Sequence, residues 1–143
     1  MSTDINTEFL ERCLKTLERS YVMIRSVSEN TIDYEMYRNS LIKSFEMTLE
    51  QSGKMLKRKL LPFFASKRDL DQLVFKDIFR YAFKHSLITE DAVERWFKYR
   101  DNRNNTAHDY GVRFAEETLE IIEKFIEDVR NLKEVIDRDR FES

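Results

Sequence analysis

Apolar residues recur at spacings of three and four along almost the whole chain, the period of a helix with one buried face. The first segment, about residues 4–27, places Phe9, Leu10, Cys13, Leu14, Leu17, Tyr21 and Ile24 on one side. After a polar joint at 28–31, a longer segment of about 32–60 does the same with Tyr34, Tyr37, Leu41, Ile42, Phe45, Thr48, Leu49 and Ser52. The only proline, Pro62, ends it, because proline disfavours helical geometry at the residue before it. Phe63 and Phe64 are expected to anchor the loop that follows. A third helix, about 70–84, is expected to bury Leu73, Val74, Ile78, Tyr81 and Ala82, with Asp69 at its start and His85 at its end. Thr89-Glu90-Asp91 reads as a cap with acidic first-turn residues, opening a fourth helix through Ala92, Val93, Trp96 and Phe97. A fifth, about 112–138, carries Phe114, Leu119, Ile122, Phe125, Ile126, Val129, Leu132 and Ile136.

One stretch breaks the rhythm, Arg103-Asn104-Asn105-Thr106-Ala107-His108-Asp109-Tyr110-Gly111. Asparagine side chains compete for backbone hydrogen bonds and favour helix ends, and Gly111 suits one. On an unbroken helix Arg103 and His108, five positions apart, would point about 140° from each other. They converge on one ligand only if the helix ends between them.

Composition sharpens the fold class. With two glycines, one proline and 36% charged residues, the 143-residue chain is expected to be a single all-α domain, a five-helix up-and-down bundle spanning 1–143. Tyr34, Tyr37, Phe97 and Tyr99 exceed the needs of one core and are expected to line a dimer interface. Cys13 is the only cysteine, which excludes an intrachain disulfide and fits a reducing cytosol. No window approaches a membrane span and the first residues lack a signal pattern, so a cytoplasmic protein away from membranes is expected.

The net charge of −2 argues against a broad nucleic-acid surface, yet the cations cluster. Lys54, Lys57, Arg58, Lys59, Lys67 and Arg68 form one group; Arg95, Lys98, Arg100 and Arg103 form another that runs into the polar stretch. Each is compatible with a local phosphate site or with a solvated helix face. Two histidines without helical spacing exclude a histidine-rich metal site, and no glycine-rich phosphate loop is present, so neither metal nor cofactor is expected. Asp69-Leu70-Asp71 mimics a paired-carboxylate metal motif but lies in a helical context.

Arginine, asparagine, histidine and tyrosine together suit phosphate chemistry. Arg103 can hold two phosphate oxygens with its planar fork, Arg100 can support it, and His108 can move a proton near neutral pH. Metal-free RNA cleavage needs a base for the 2′-hydroxyl and an acid for the leaving oxygen. A symmetric dimer would bring two such histidines to one cleft. Spacing alone is also met by a capped turn, with Thr106 and Asp109 as a capping box.

The arrangement Arg103-Asn104-x-x-x-His108-x-Tyr110, preceded by Ala92, Trp96 and Arg100, resembles the signature of the HEPN superfamily. It is most similar to the nucleotidyltransferase substrate-binding subunits related to the HepT toxins of MNT-HEPN toxin-antitoxin pairs, over about Phe9 to Ile136. The resemblance implies a helical homodimer with Arg103 and His108 in the catalytic positions of a metal-independent endoribonuclease, and Asn104 as polar support. It further implies a minimal nucleotidyltransferase partner that attaches AMP to Tyr110, setting negative charge and bulk where RNA phosphate would bind. The substrate-binding branch implies an alternative: a noncatalytic subunit that presents a nucleotide or other small substrate to the transferase.

Overall fold

The computed structural model describes residues 5–138 apart from 107–111, with side chains described for 5–103 and 116–138. Among them are six α-helices, α1 (Glu8–Ile24), α2 (Ile32–Lys59), α3 (Lys67–Asp71), α4 (Phe75–Lys84), α5 (Glu90–Thr106) and α6 (Val112–Asp137), with a 3-10 turn at Leu61–Phe63 after α2. The all-α expectation holds, and the expected count of five does not. The difference lies in the expected third helix. Leu70, Leu73 and Val74 have helical spacing, but the β-branched Val74 takes an extended conformation and is 63% exposed, so the segment divides into α3 and α4. Ser66 caps α3, its hydroxyl accepting from the Asp69 amide at 3.2 Å, so Asp69 sits in the first turn rather than at the start.

Helix direction follows from contacts. Thr7 donates to Asp137 and Tyr21 to Glu123, so α1 and α6 are antiparallel. Phe45 packs on Phe125 and the Lys59 ammonium reaches the Ile136 carbonyl, so α2 and α6 run the same way. Arg95 meets Asp128 and Asn102 meets Thr118, which sets α5 against α6. Phe63 stacks on His85 and Phe64 meets Tyr81 edge-on, while Phe75 lies against Gly53, so α4 sets off in the same sense as the end of α2. Strict up-and-down alternation gives way there, because α3 carries the chain back before α4 begins.

The core is built on α2. Tyr34, Leu41, Ile42, Phe45, Leu49, Met55 and Leu56 are buried on it, and Phe45, Phe79, Trp96, Tyr99 and Phe125 interlock at its centre. Trp96 is 1% exposed, and truncating a residue so placed costs about 3–5 kcal/mol. Tyr34 and Tyr99 are therefore core residues, which corrects the expectation that they line an interface. The ring of Phe97, half-buried, lies under the cations of Lys76 and Arg80. Cys13 is buried with a free thiol, as a small apolar residue would be.

Two local devices fix helix ends. Thr89 caps α5 by accepting from the Ala92 amide at 3.2 Å, as expected. At the end of α4, Ser86 has φ 62°, the Ser86 amide donates to Phe83 and the Leu87 amide donates to the Ala82 carbonyl at 2.8 Å. This is a Schellman ending with serine where glycine is usual.

Candidate functional site

Arg103 owes its position to the turns of α5 that precede it. Trp96 and Tyr99 lock α5 between α4 and α6. On the α6 side, the buried carboxylate of Asp128 accepts from Arg95 Nε at 2.8 Å, from Arg95 Nη2 at 2.9 Å and from the Tyr99 hydroxyl at 2.5 Å. The pair is bidentate, the strongest geometry an arginine and a carboxylate can adopt. Burial first, and the hydrogen bond to Asp128 second, push the Tyr99 hydroxyl far above the usual tyrosine range. The same bond to Asp128 raises Arg95 further, so it stays cationic throughout. A turn later, Asn102 Nδ2 donates to Thr118 Oγ1 at 3.4 Å, a long contact, where Thr118 is fully buried.

The second basic group therefore divides by role. Arg95 is neutralised inside the bundle, Arg100 lies over the face of Phe75 with 5.0 Å to the ring centre, and Lys98 is exposed. Asp101 pairs with Lys76 at 3.1 Å. Arg100 and Arg103, three positions apart, are neighbours on one face of α5, and Arg103 is half-buried. Asn104 follows within the same helix. His108 and Tyr110, and most of the expected capping box from Thr106 to Asp109, lie outside the described residues. The helix that carries Arg103 ends at Thr106, and α6 sets off in the opposite direction at Val112. The chain therefore reverses direction between α5 and α6.

α2 brings two further groups to this end of the bundle. The hydroxyl of Tyr34 lies within electrostatic reach of Glu29, Arg38 and Glu116; burial first, then the negative charge of Glu29, raises its pKa, against the opposing pull of Arg38. Arg38 is half-buried, and its Nε is buried without a hydrogen-bond partner among the described residues. Neither Arg38 nor Asp128 stood out in the sequence reading. The available signal for Arg38 was a cation in the otherwise apolar stripe Tyr34, Leu41, Phe45; Asp128 has no local signal, because its partners Arg95 and Tyr99 lie 33 and 29 positions away in sequence.

The first basic group lies elsewhere, where α2 and α6 finish. Lys54, Lys57, Arg58 and Lys67 line an open cavity of about 480 Å3 with Leu61 and Leu70. Asp71 partly neutralises it, 3.1 Å from Lys57 and 3.6 Å from Lys67, and the Lys57 hydrogen bond above all lowers its pKa. Among the described residues, no group of three or more histidine, cysteine or acidic side chains is placed to hold a metal ion. Nor is any helix long and apolar enough to cross a membrane.

Comparison with known proteins agrees with this architecture. The chain is 30% identical over 130 residues to the probable ribonuclease HepT of Haemophilus influenzae, covering 88% of each protein. It is also similar to a solved Haemophilus influenzae structure described as revealing the fold of a substrate binding domain of a nucleotidyltransferase. That likeness has a TM-score of 0.79 at 28% identity and covers 93% of this chain and 100% of the other. Residues 6–138 match the family described as nucleotidyltransferase substrate binding protein like. The chain belongs to that family, the HepT-like group of HEPN proteins.

Proposed function

We propose that the chain is a HepT-like endoribonuclease that cleaves RNA without a metal, acting as a homodimer. The observation that carries this is the Arg103-Asn104-x-x-x-His108-x-Tyr110 signature, which begins on the clamped α5 and precedes α6 in sequence, in a chain similar to a probable ribonuclease. In the reaction the 2′-hydroxyl of a ribose attacks the adjacent phosphorus as the bond to the 5′ oxygen breaks, leaving a cyclic phosphate. His108 of one copy takes the hydroxyl proton, and His108 of the other gives a proton to the departing oxygen. Arg103 holds the non-bridging oxygens as negative charge develops on them, Asn104 supports them, and Arg100 adds positive potential from the preceding turn.

Dimerisation supplies the second histidine. Ile32 and Met36, 75% and 59% exposed on the first turns of α2, leave apolar surface at this end of the bundle, which a second copy would cover. The partner that controls the activity is a minimal nucleotidyltransferase, which attaches AMP to Tyr110 and so fills the site with competing negative charge. Together the two proteins form a toxin-antitoxin pair in the cytoplasm. A second reading is favoured by the solved relative's description as a substrate binding domain: a noncatalytic subunit presenting a nucleotide to the transferase.

The test is cleavage of a structured RNA by the purified protein in EDTA, with His108→Ala alongside. Cleavage by the unmodified protein that disappears in the variant is expected. A correctly dimeric protein that leaves RNA intact would overturn the ribonuclease reading in favour of the second. Absence of an AMP adduct on Tyr110 after incubation with the transferase and ATP, read by mass spectrometry, would reject the proposed control.

A further inference from the structure

Arg38 occupies a position that packing alone does not explain. It shares one stripe of α2 with Tyr34, Leu41 and Phe45, which are 8%, 0% and 0% exposed. Phe45 packs on Phe125, so this stripe faces α6. A cation in such a stripe normally pairs with a carboxylate, as Arg95 does with Asp128. Arg38 makes no ion pair among the described residues, and its Nε is buried without an acceptor. Glu29 and Glu116 are close enough to act on the Tyr34 hydroxyl, yet neither pairs with Arg38 among the described contacts. A buried donor without an acceptor raises the free energy of the unliganded protein unless something arrives to accept from it.

Its location says where that acceptor would come from. Glu116, near the start of α6, acts on Tyr34, one turn before Arg38. Thr118, two positions further along α6, is contacted by Asn102, the residue before Arg103. Arg38 and Arg103 therefore reach the same end of the bundle from different helices, α2 and α5, on either side of the first turns of α6. Those turns also carry the positive end of a helix dipole.

We propose that Arg38 is a second anion-binding guanidinium of this site, contacting a backbone phosphate of bound RNA that Arg103 does not hold. The proposal rests on the ribonuclease reading. Because Arg38 would bind a phosphate that is not being cleaved, its contribution is the same in the ground and transition states and appears in KM. Arg103, facing the reacting phosphate, appears in kcat.

The experiment measures binding of a 2′-O-methyl oligoribonucleotide, which lacks the attacking hydroxyl, to the full-length protein across a range of salt concentrations. Arg38→Gln is expected to weaken binding about ten-fold at low salt and to reduce the log–log salt slope by about 0.7, the signature of one lost phosphate contact. In cleavage of ordinary RNA it should raise KM and hold kcat, and its melting temperature should not fall, since no partner is lost. Arg38→Lys, which keeps the charge without the planar fork, should recover the slope and only part of the affinity. Arg68→Gln, at the other end of the bundle, controls for general loss of charge. Should Arg38→Gln prove unfolded, Arg38→Lys decides: wild-type affinity in it would overturn the proposal. Wild-type affinity and salt slope in Arg38→Gln, with the wild-type protein binding the oligonucleotide and cleaving ordinary RNA, would remove Arg38 from the site and leave the ribonuclease reading intact. An equal loss in Arg68→Gln would reduce the effect to general electrostatics, and no binding by the wild type would overturn this proposal and the ribonuclease reading together.

Discussion

Replacing Asp128 with alanine strips one buried carboxylate from three donors at once. Arg95 Nε and Nη2 stand 2.8 and 2.9 Å from it and the Tyr99 hydroxyl 2.5 Å, and Asp128 is 3% exposed. Breaking a buried ion pair by removing one member costs about 3–5 kcal/mol, because the other charge is left uncompensated. Arg95 keeps 30% of its side chain in solvent and can turn outward, whereas the Tyr99 hydroxyl has nowhere to go. The expected loss for Asp128→Ala is therefore near the lower bound, about 3 kcal/mol, or a fall of about 10 °C in melting temperature for a chain of this size. Urea denaturation at neutral pH followed by circular dichroism measures it. A companion, Arg95→Met with Tyr99→Phe and Asp128→Leu, removes the donors together with the acceptor and should recover most of the stability, since well-packed apolar groups replace a buried ion pair at little cost. Loss of less than about 1 kcal/mol in the single variant, or a companion no better than the single, would refute the claim that unpaired buried charge sets the penalty.

Three further outcomes are expected. Ser86→Gly relieves a left-handed serine in the Schellman ending of α4 and should add about 0.5–1 kcal/mol, visible as a melting temperature raised by a few degrees. Gly53→Ala should destabilise despite the better helix propensity of alanine, because the new Cβ would stand 3.0 Å from the Phe75 ring, which Phe79 and Arg100 hold from other sides; a more stable variant would show that ring free to move. Tyr99 has a folded pKa raised above its unfolded value of about 10, so its contribution is full below that pH and is lost as pH rises above it. Tyr99→Phe should be weaker by about 1.5–3 kcal/mol at neutral pH, yet lose less than wild type between about pH 9 and 11 in urea titrations at fixed pH.

Helical periodicity located the bundle because each long helix buries one continuous stripe. α6 shows this best, with Ile122, Phe125, Val129, Leu132 and Ile136 all buried. Periodicity failed at Leu73 and Val74, where residues spaced for one helix are shared between two short ones, and a spacing rule is blind to a change of axis. Aromatic count misled in the same way. Tyr34 and Tyr99 look surplus to one core by number, but both are buried in it, and the Tyr99 hydroxyl is satisfied by an acid 29 positions away that no local pattern announces. At the site, the motif marked Arg103 and the chain reversal after it, since those signals are local. Arg38 stands on another helix, and only the packing of α2 on α6 brings it to the same end of the bundle as Arg103.

α2 touches α1, α4, α5, α6 and the 3-10 turn, and at 28 residues it is about 42 Å long. Its hydroxyls at Ser44, Thr48 and Ser52 bond to carbonyls four positions earlier, so this polar run needs no outside partner and packs as if apolar. No neighbouring helix can separate from the bundle without baring part of α2, and α2 cannot open without releasing all of them. Amide hydrogens midway along it should therefore exchange only through global unfolding, at a free energy equal to the whole stability of the domain, and the unfolding of the chain should be a single event rather than a succession of helices peeling away.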